Sequence, residues 1–181
     1  MSVNSIKLHD KEFEIYIDET EINSAIEKMA NKISQDFLNV NPLFIGVLNG
    51  SFMFASDLLK RITIPCEISF VKVASYHGTQ STGQVKELLG LVENIEGRAV
   101  IILEDIVDTG ETIDKIYSDL LKKGASKIKI ATLLYKPEAY KKLLPLDYIA
   151  IEIPNEFVVG YGLDYDGLGR NLRHIYKLKE A

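Results

Sequence analysis

Cysteine is almost absent from this chain: Cys66 is the one residue of its kind among 181, so no internal disulfide can form. It opens an apolar stretch and is expected in the core, because no partner for a catalytic thiol is recognisable around it. Long hydrophobic runs are missing too, and none approaches the roughly 20 residues of a membrane span. The first residues carry neither a basic segment nor an apolar signal-like stretch. The expectation is a cytoplasmic protein without a membrane partner. Positive charge is in deficit, with 21 Lys and Arg against 26 Asp and Glu and a net charge of −5. Such a balance gives no general attraction to nucleic acid, so any anion-binding surface must be local. Repeats, linkers and low-complexity segments are also lacking. What is present, 46% hydrophobic and 26% charged residues, is globular. A single domain over residues 1–181 is expected, large enough to bury about 70% of its unfolded surface.

Strand and helix patterns alternate along the chain. Phe13 to Ile17 alternates as a strand, and Ile22, Ala25, Ile26, Met29, Ala30, Ile33 and Phe37 form a helical stripe opened by Asp18 or Thr20. After Asn41-Pro42, the run Leu43 to Leu48 reads as a buried strand that leads through Asn49-Gly50-Ser51 into a helix ending near Leu59. Further strands are predicted at Cys66 to Ala74, Glu87 to Val92, Ala99 to Leu103, Ile128 to Leu134 and Tyr148 to Ile153. A helix from Thr112 to Lys123 stops at Gly124. The polar segment Tyr76 to Gln84 has the composition of a mobile lid loop. This βα order predicts an α/β fold with a twisted, mainly parallel sheet flanked by helices.

Chemistry concentrates at residues 100–112. Val100-Ile101-Ile102-Leu103 reads as a strand buried on both faces, followed at once by Glu104 and Asp105, and ligands of parallel sheets bind beyond the carboxyl ends of the strands. Asp108-Thr109-Gly110-Glu111-Thr112 then turns into a helical stripe, presenting free N–H groups at a helix N-terminus suited to phosphate. A bland alternative has the acids solubilising a strand end and Thr109 capping the helix. Three carboxylates within five residues after four hydrophobes favour a site. The spacing Asp105-Ile106-Val107-Asp108-Thr109 is not that of D-x-D-x-T phosphatases, and no G-x-x-x-x-G-K-[ST] occurs. Gly160-Tyr161-Gly162-Leu163-Asp164-Tyr165 has Tyr where a dinucleotide fingerprint needs its third glycine.

The thirteen residues Val100 to Thr112 resemble the phosphoribosyl-pyrophosphate signature of type I phosphoribosyltransferases: four apolar residues, two acids, two apolar residues, then Asp-Thr-Gly and a further Thr. Leu48-Asn49-Gly50-Ser51, Ser75-Tyr76, Leu133-Leu134-Tyr135-Lys136 and Ile153 to Tyr165 with Arg170 beyond are similar, in the same order, to the branch of that family acting on 6-oxopurines. The resemblance covers nearly the whole chain and implies that family's fold, with a small hood and a mobile lid. It implies purine salvage by Mg²⁺-dependent transfer of 5-phosphoribosyl from phosphoribosyl pyrophosphate to N9 of hypoxanthine or guanine. Homo-oligomerisation, as dimer or tetramer, is implied as well.

Residue roles follow from the same resemblance. Glu104 and Asp105 hold the ribose hydroxyls and approach the metal, Asp108 is the proton acceptor facing purine N7, and Asp108, Thr109, Gly110, Glu111 and Thr112 bind the 5′-phosphate. Glu111 is expected to face solvent, because an inward carboxylate would repel the phosphate. Lys136 meets the 6-oxo group of the base, Phe157 stacks on it and Val158 offers backbone groups. Asp164 lies near a second metal with a backbone contact to the purine, and Arg170 binds pyrophosphate. Ser75 and Tyr76 close over the reaction to exclude water. From sequence alone, Lys136 would be a solvated strand-end lysine, Phe157 a core aromatic, and Asp164 and Arg170 surface charges.

One departure concerns pyrophosphate. The family pattern Leu-Lys-Gly is replaced by Leu48-Asn49-Gly50, a short amide for a long cation, leaving Asn49 and Gly50 to bind chiefly through main-chain N–H groups. A ligand-sensing transcriptional regulator on the same fold is disfavoured by the acidic balance and the lack of an added DNA-binding domain. A xanthine- or adenine-preferring transferase is the enzymatic rival.

Overall fold

The structure, a computed structural model, describes residues 5–74 and 86–179. The chain runs β1 (Ser5–Leu8), β2 (Lys11–Ile17), α1 (Glu19–Asp36), β3 (Leu43–Leu48), α2 (Phe52–Leu59), β4 (Glu67–Ala74), β5 (Lys86–Leu89) and β6 (Ala99–Val107). It continues through α3 (Glu111–Lys122), β7 (Lys127–Tyr135), β8 (Tyr148–Glu152), β9 (Val158–Val159) and β10 (Ile175–Leu178). The lid residues Ser75 and Tyr76 lie outside the described residues.

Two sheets form. The larger has the order β5-β4-β3-β6-β7-β8, and its five strands from β4 to β8 are parallel neighbours while β5 joins β4 antiparallel. The smaller, β1-β2-β10-β9, is antiparallel and brings both ends of the chain together. It is the hood implied by the family resemblance. No β1, β9 or β10 was predicted from the pattern, because strands of four, two and four residues are too short for a period to register.

Alternation along β6 divides the core. Ile101 and Leu103 join Phe44, Ile26, Ile33 and Leu58 on the face covered by α1 and α2, whereas Val100 and Ile102 join Ile45, Ile113, Ile116 and Leu120 beneath α3. Both faces of the strand are therefore buried, as its unbroken run of hydrophobes requires. Burying each such side chain contributes about 1.5–3 kcal/mol. Helix α1 begins at Asp18, whose Oδ1 accepts the Glu21 N–H at 2.9 Å, and this decides between the two openings read from sequence.

The main difference from the sequence reading lies in β6. The strand does not stop at Leu103 but continues to Val107, with Glu104 opposite Thr132 and Val107 opposite Tyr135. Backbone pairing to β7 continues irrespective of side-chain polarity, so the acidic pair sits inside the strand. Both carboxylates are buried, each 8% exposed. Among the described residues no helix is long and apolar enough to cross a membrane.

Candidate functional site

Three loops meet beyond the carboxyl ends of β3, β6 and β7. The first follows β3, where the Leu48–Asn49 peptide is cis, and Gly50 turns into α2. A Cβ on Gly50 would stand 1.5 Å from Asp105 Oδ2, so only glycine lets this loop rest on the acid strand. Gly162 in turn abuts the carbonyl of Gly50, 2.0 Å from where a Cβ would be, and has a φ of +102°. Arg170 locks that contact, donating to the Gly162 carbonyl at 2.7 Å and pairing with Asp164 at 2.6 Å. Asp164 also accepts the Gly167 N–H at 2.7 Å.

These residues wall a cleft of about 310 Å³. One side is Leu48, Asn49 and Gly50, the floor is Glu104 and Asp105, and the opposite side is Asp164 and Arg170; Lys72 from β4 also lines it. Nothing in the sequence reading singled out Lys72. A cation flanked by Val71 and Val73 was the signal available; its register with Leu48 is visible only in the fold. Buried Ser51 Oγ at the start of α2 has no hydrogen-bond partner among the described residues.

Electrostatics of the floor are unusual. Burial, and then the adjoining Asp105, push the Glu104 carboxyl well above the ordinary carboxylate range, and Glu104 Oε2 is buried without a hydrogen-bond partner among the described residues. Burial also raises Asp105, partly offset by the Ile106 N–H and by Arg170. Two buried acids with an orphaned oxygen invite a cation. Among the described residues no three acidic, His or Cys side chains converge as a ready-made metal cage. Mg²⁺ is commonly held by one or two carboxylates together with substrate phosphates, so Glu104 and Asp105 fit that mode.

A second hollow, about 90 Å³, is lined by Glu104 and by residues 106–113, and it shares Glu104 and Thr112 with the first. Gly110 precedes α3 with a φ of +87°, and a Cβ there would also strike Tyr140 at 2.4 Å. Thr109 is not the cap of α3; Gly110 occupies that position and no side chain caps the helix. N–H groups of the first turn therefore lack intrahelical acceptors and are free to receive an anion. Glu111 turns outward, 67% exposed, to Lys142 at 2.8 Å.

On the third side, Lys136 is 8% exposed at the end of β7. Its Nζ lies 3.4 Å from Asp108 Oδ2 and 3.5 Å from Asn155 Oδ1. The Lys136 N–H donates to the Val107 carbonyl at 3.0 Å, tying the β7 loop to the end of β6. The Ile153 N–H donates to the Tyr135 carbonyl at 2.8 Å, bringing the segment that leads to Phe157 beside the same strand end. Phe157 stays 44% exposed, braced edge-on by Tyr165 with ring centroids 5.9 Å apart. Val158 is buried in β9, paired with Lys177. Asn155, quoted in the sequence motif without a role, is the added member of this cluster.

The arrangement thus offers a buried acidic floor, a helix end with free N–H groups, a cleft lined by Lys72 and Arg170, a buried lysine at a strand end and, on the segment beside it, a half-exposed aromatic ring. Comparison with known proteins accords with this. A family model described as the phosphoribosyl transferase domain matches residues 15–166. The chain is similar to the hypoxanthine-guanine phosphoribosyltransferase of Streptococcus pyogenes serotype M3, at 46% identity over 168 residues, 92% of this chain and 93% of that protein. Among solved structures, it is similar to a hypoxanthine phosphoribosyltransferase from Staphylococcus aureus, with 41% identity, a TM-score of 0.87 and coverage of 92% of this chain and 91% of the other. A variant of the Trypanosoma cruzi hypoxanthine phosphoribosyltransferase in a ternary complex with substrates has 38% identity and a TM-score of 0.84, covering 91% of this chain and 94% of its own.

Proposed function

The chain belongs to the phosphoribosyl transferase domain family, and on that premise we propose how its residues divide the work of the reaction. The enzyme is a pentosyltransferase of purine salvage. It moves the 5-phosphoribosyl group of phosphoribosyl pyrophosphate to N9 of hypoxanthine or guanine, giving IMP or GMP and pyrophosphate. The bond from the anomeric carbon to the pyrophosphate oxygen breaks, the bond to N9 forms, and the purine gives up a proton. Positive charge develops on the sugar while negative charge builds on the leaving group.

In this reading the 5′-phosphate sits on the N–H groups of residues 108–112 and at the end of α3. Glu104 and Asp105, beneath it, hold the ribose hydroxyls and carry Mg²⁺, with Asp164 approaching from the opposite wall. Bound Mg²⁺ supplies the positive charge that pyrophosphate needs to depart. Arg170 and the main chain of Asn49 and Gly50 orient the pyrophosphate. Asp108 takes the purine proton from N7; a half-exposed carboxylate at the cleft edge suits that role. Lys136 donates to O6 of the base, Phe157 stacks on the ring, and Val158 and Asp164 offer backbone groups to its edge.

The observation carrying this reading is that the two anion-receiving hollows meet at Glu104 and Thr112, which suits one substrate bearing a phosphate and a pyrophosphate on a ribose. A single working domain, a cytoplasmic location and assembly as dimer or tetramer belong to the same reading; the lone thiol of Cys66 supports the location, since cytosolic proteins keep thiols reduced. Steady-state turnover of hypoxanthine, guanine, xanthine and adenine with phosphoribosyl pyrophosphate tests it. Hypoxanthine or guanine is expected to be the best substrate, and a preference for adenine overturns the assignment of the base pocket.

A further inference from the structure

One cation of the larger cleft is left without a partner among the described residues. Glu104, Asp105 and Asp164 supply its acids and Lys72 and Arg170 its cations. Arg170 is already committed, to Asp164 at 2.6 Å and to the Gly162 carbonyl at 2.7 Å. Asn49, on the loop itself, is neutral. Lys72 is half-buried, stands in register with Leu48 on the neighbouring strand, and among the described residues has no ion-pair partner. A half-buried ammonium left unpaired beside a cleft costs free energy unless an anion arrives.

We infer that Lys72 is the side chain that neutralises the pyrophosphate of the substrate, in a loop whose own residue 49 is a short amide. The inference rests on the reading of this cleft as a pyrophosphate site. Placement on β4 gives the cation a rigid base: its backbone is held in the parallel ladder to β3, adjacent to the loop it serves. A lysine so placed reaches the same space as one on the loop would, from across the strand pair. Lys72 is thus a binding residue for the leaving group, acting before and after transfer and having no part in recognising the base.

Calorimetric titration with magnesium pyrophosphate, joined to steady-state kinetics, tests this. Lys72→Ala is expected to weaken magnesium pyrophosphate binding and raise the KM for phosphoribosyl pyrophosphate by roughly 10- to 100-fold, the loss of one hydrogen bond to a charged group. The KM for hypoxanthine is expected to change less than about twofold, since Lys72 stays clear of the base. Lys72→Arg keeps most of the affinity, and adding Asn49→Lys to Lys72→Ala recovers part of it; a purely structural role predicts neither. Magnesium pyrophosphate bound by Lys72→Ala as tightly as by the parent overturns the inference, as does an Arg variant as weak as the Ala variant. If the parent chain binds magnesium pyrophosphate through Lys72 yet forms no nucleotide from any purine, the inference stands and the functional reading falls.

Discussion

Gly50 and Asp105 lie so close that any side chain at position 50 would clash with the carboxylate as it stands: a Cβ on Gly50 would lie 1.5 Å from Asp105 Oδ2 and 2.4 Å from its Cγ. Asp105 cannot simply swing away, since it is buried and its Oδ1 accepts the Ile106 N–H at 2.9 Å. Gly50→Ala must therefore displace the loop or the carboxylate. Because a shift of about 1 Å in a positioned group can cost on the order of 10²-fold, kcat/KM for phosphoribosyl pyrophosphate should fall by about that factor. Near-parental kinetics would show that the loop and the acid strand move independently.

Asp108 is the proposed proton acceptor, and its removal separates chemistry from binding. Asp108→Asn should lower kcat by roughly 10²–10⁴ while the KM for phosphoribosyl pyrophosphate changes little. Glu104→Gln combined with Asp105→Asn should instead damage metal-dependent substrate binding as well as rate. Turnover at the parental rate in Asp108→Asn removes the residue from the proton path.

Lys136 is the proposed determinant of which purines are accepted. A buried ammonium donating to O6 of hypoxanthine or guanine would meet the amino group of adenine donor to donor, so adenine should be used about a thousandfold less efficiently or worse. Lys136→Ala should lose efficiency with both 6-oxopurines and narrow that gap. Equal use of adenine by the parent enzyme would make Lys136 an ordinary strand-end lysine.

Tyr161 anchors the loop bearing Gly162 and Asp164 to α2, through a short hydrogen bond to Asp57. Burial first, and then that bond, raise the Tyr161 phenol above its ordinary value of 10.0. The folded state keeps its proton where the unfolded chain loses it, so stability falls as pH rises past 10. Tyr148, also raised by burial and by its bond to Asp36, adds to the same fall. Denaturant midpoints between pH 8 and 11 should decline in the parent chain and less steeply in Tyr161→Phe. Identical slopes would mean that the phenol titrates alike folded and unfolded.

Much of this molecule was legible in its sequence because hydrophobic period and punctuation agree. The α1 stripe, the runs of β3 and β7, and Gly110 before α3 each stand where the pattern put them. The end of β6 did not, because side-chain polarity after Leu103 looked like a boundary while the backbone ladder to β7 continues to Val107. That continuation places the two acids expected just beyond the strand inside it, as a buried pair. The hood was implied by the resemblance, but its strands β1 and β10 left no mark on the local pattern because they pair through β2 across nearly the whole chain, and no local signal reports a partner so distant. Lys72 and Asn155 received no role for a related reason: their significance comes from register and loop contact, with Leu48 for the one and Lys136 for the other.

The most direct measurement is the product balance of one reaction. Purified enzyme, phosphoribosyl pyrophosphate, hypoxanthine and Mg²⁺ should yield IMP and pyrophosphate in equal amounts, and excess chelator should abolish both. Pyrophosphate released without IMP, or undiminished turnover in chelator, would contradict the account of a metal-assisted transfer from sugar phosphate to purine.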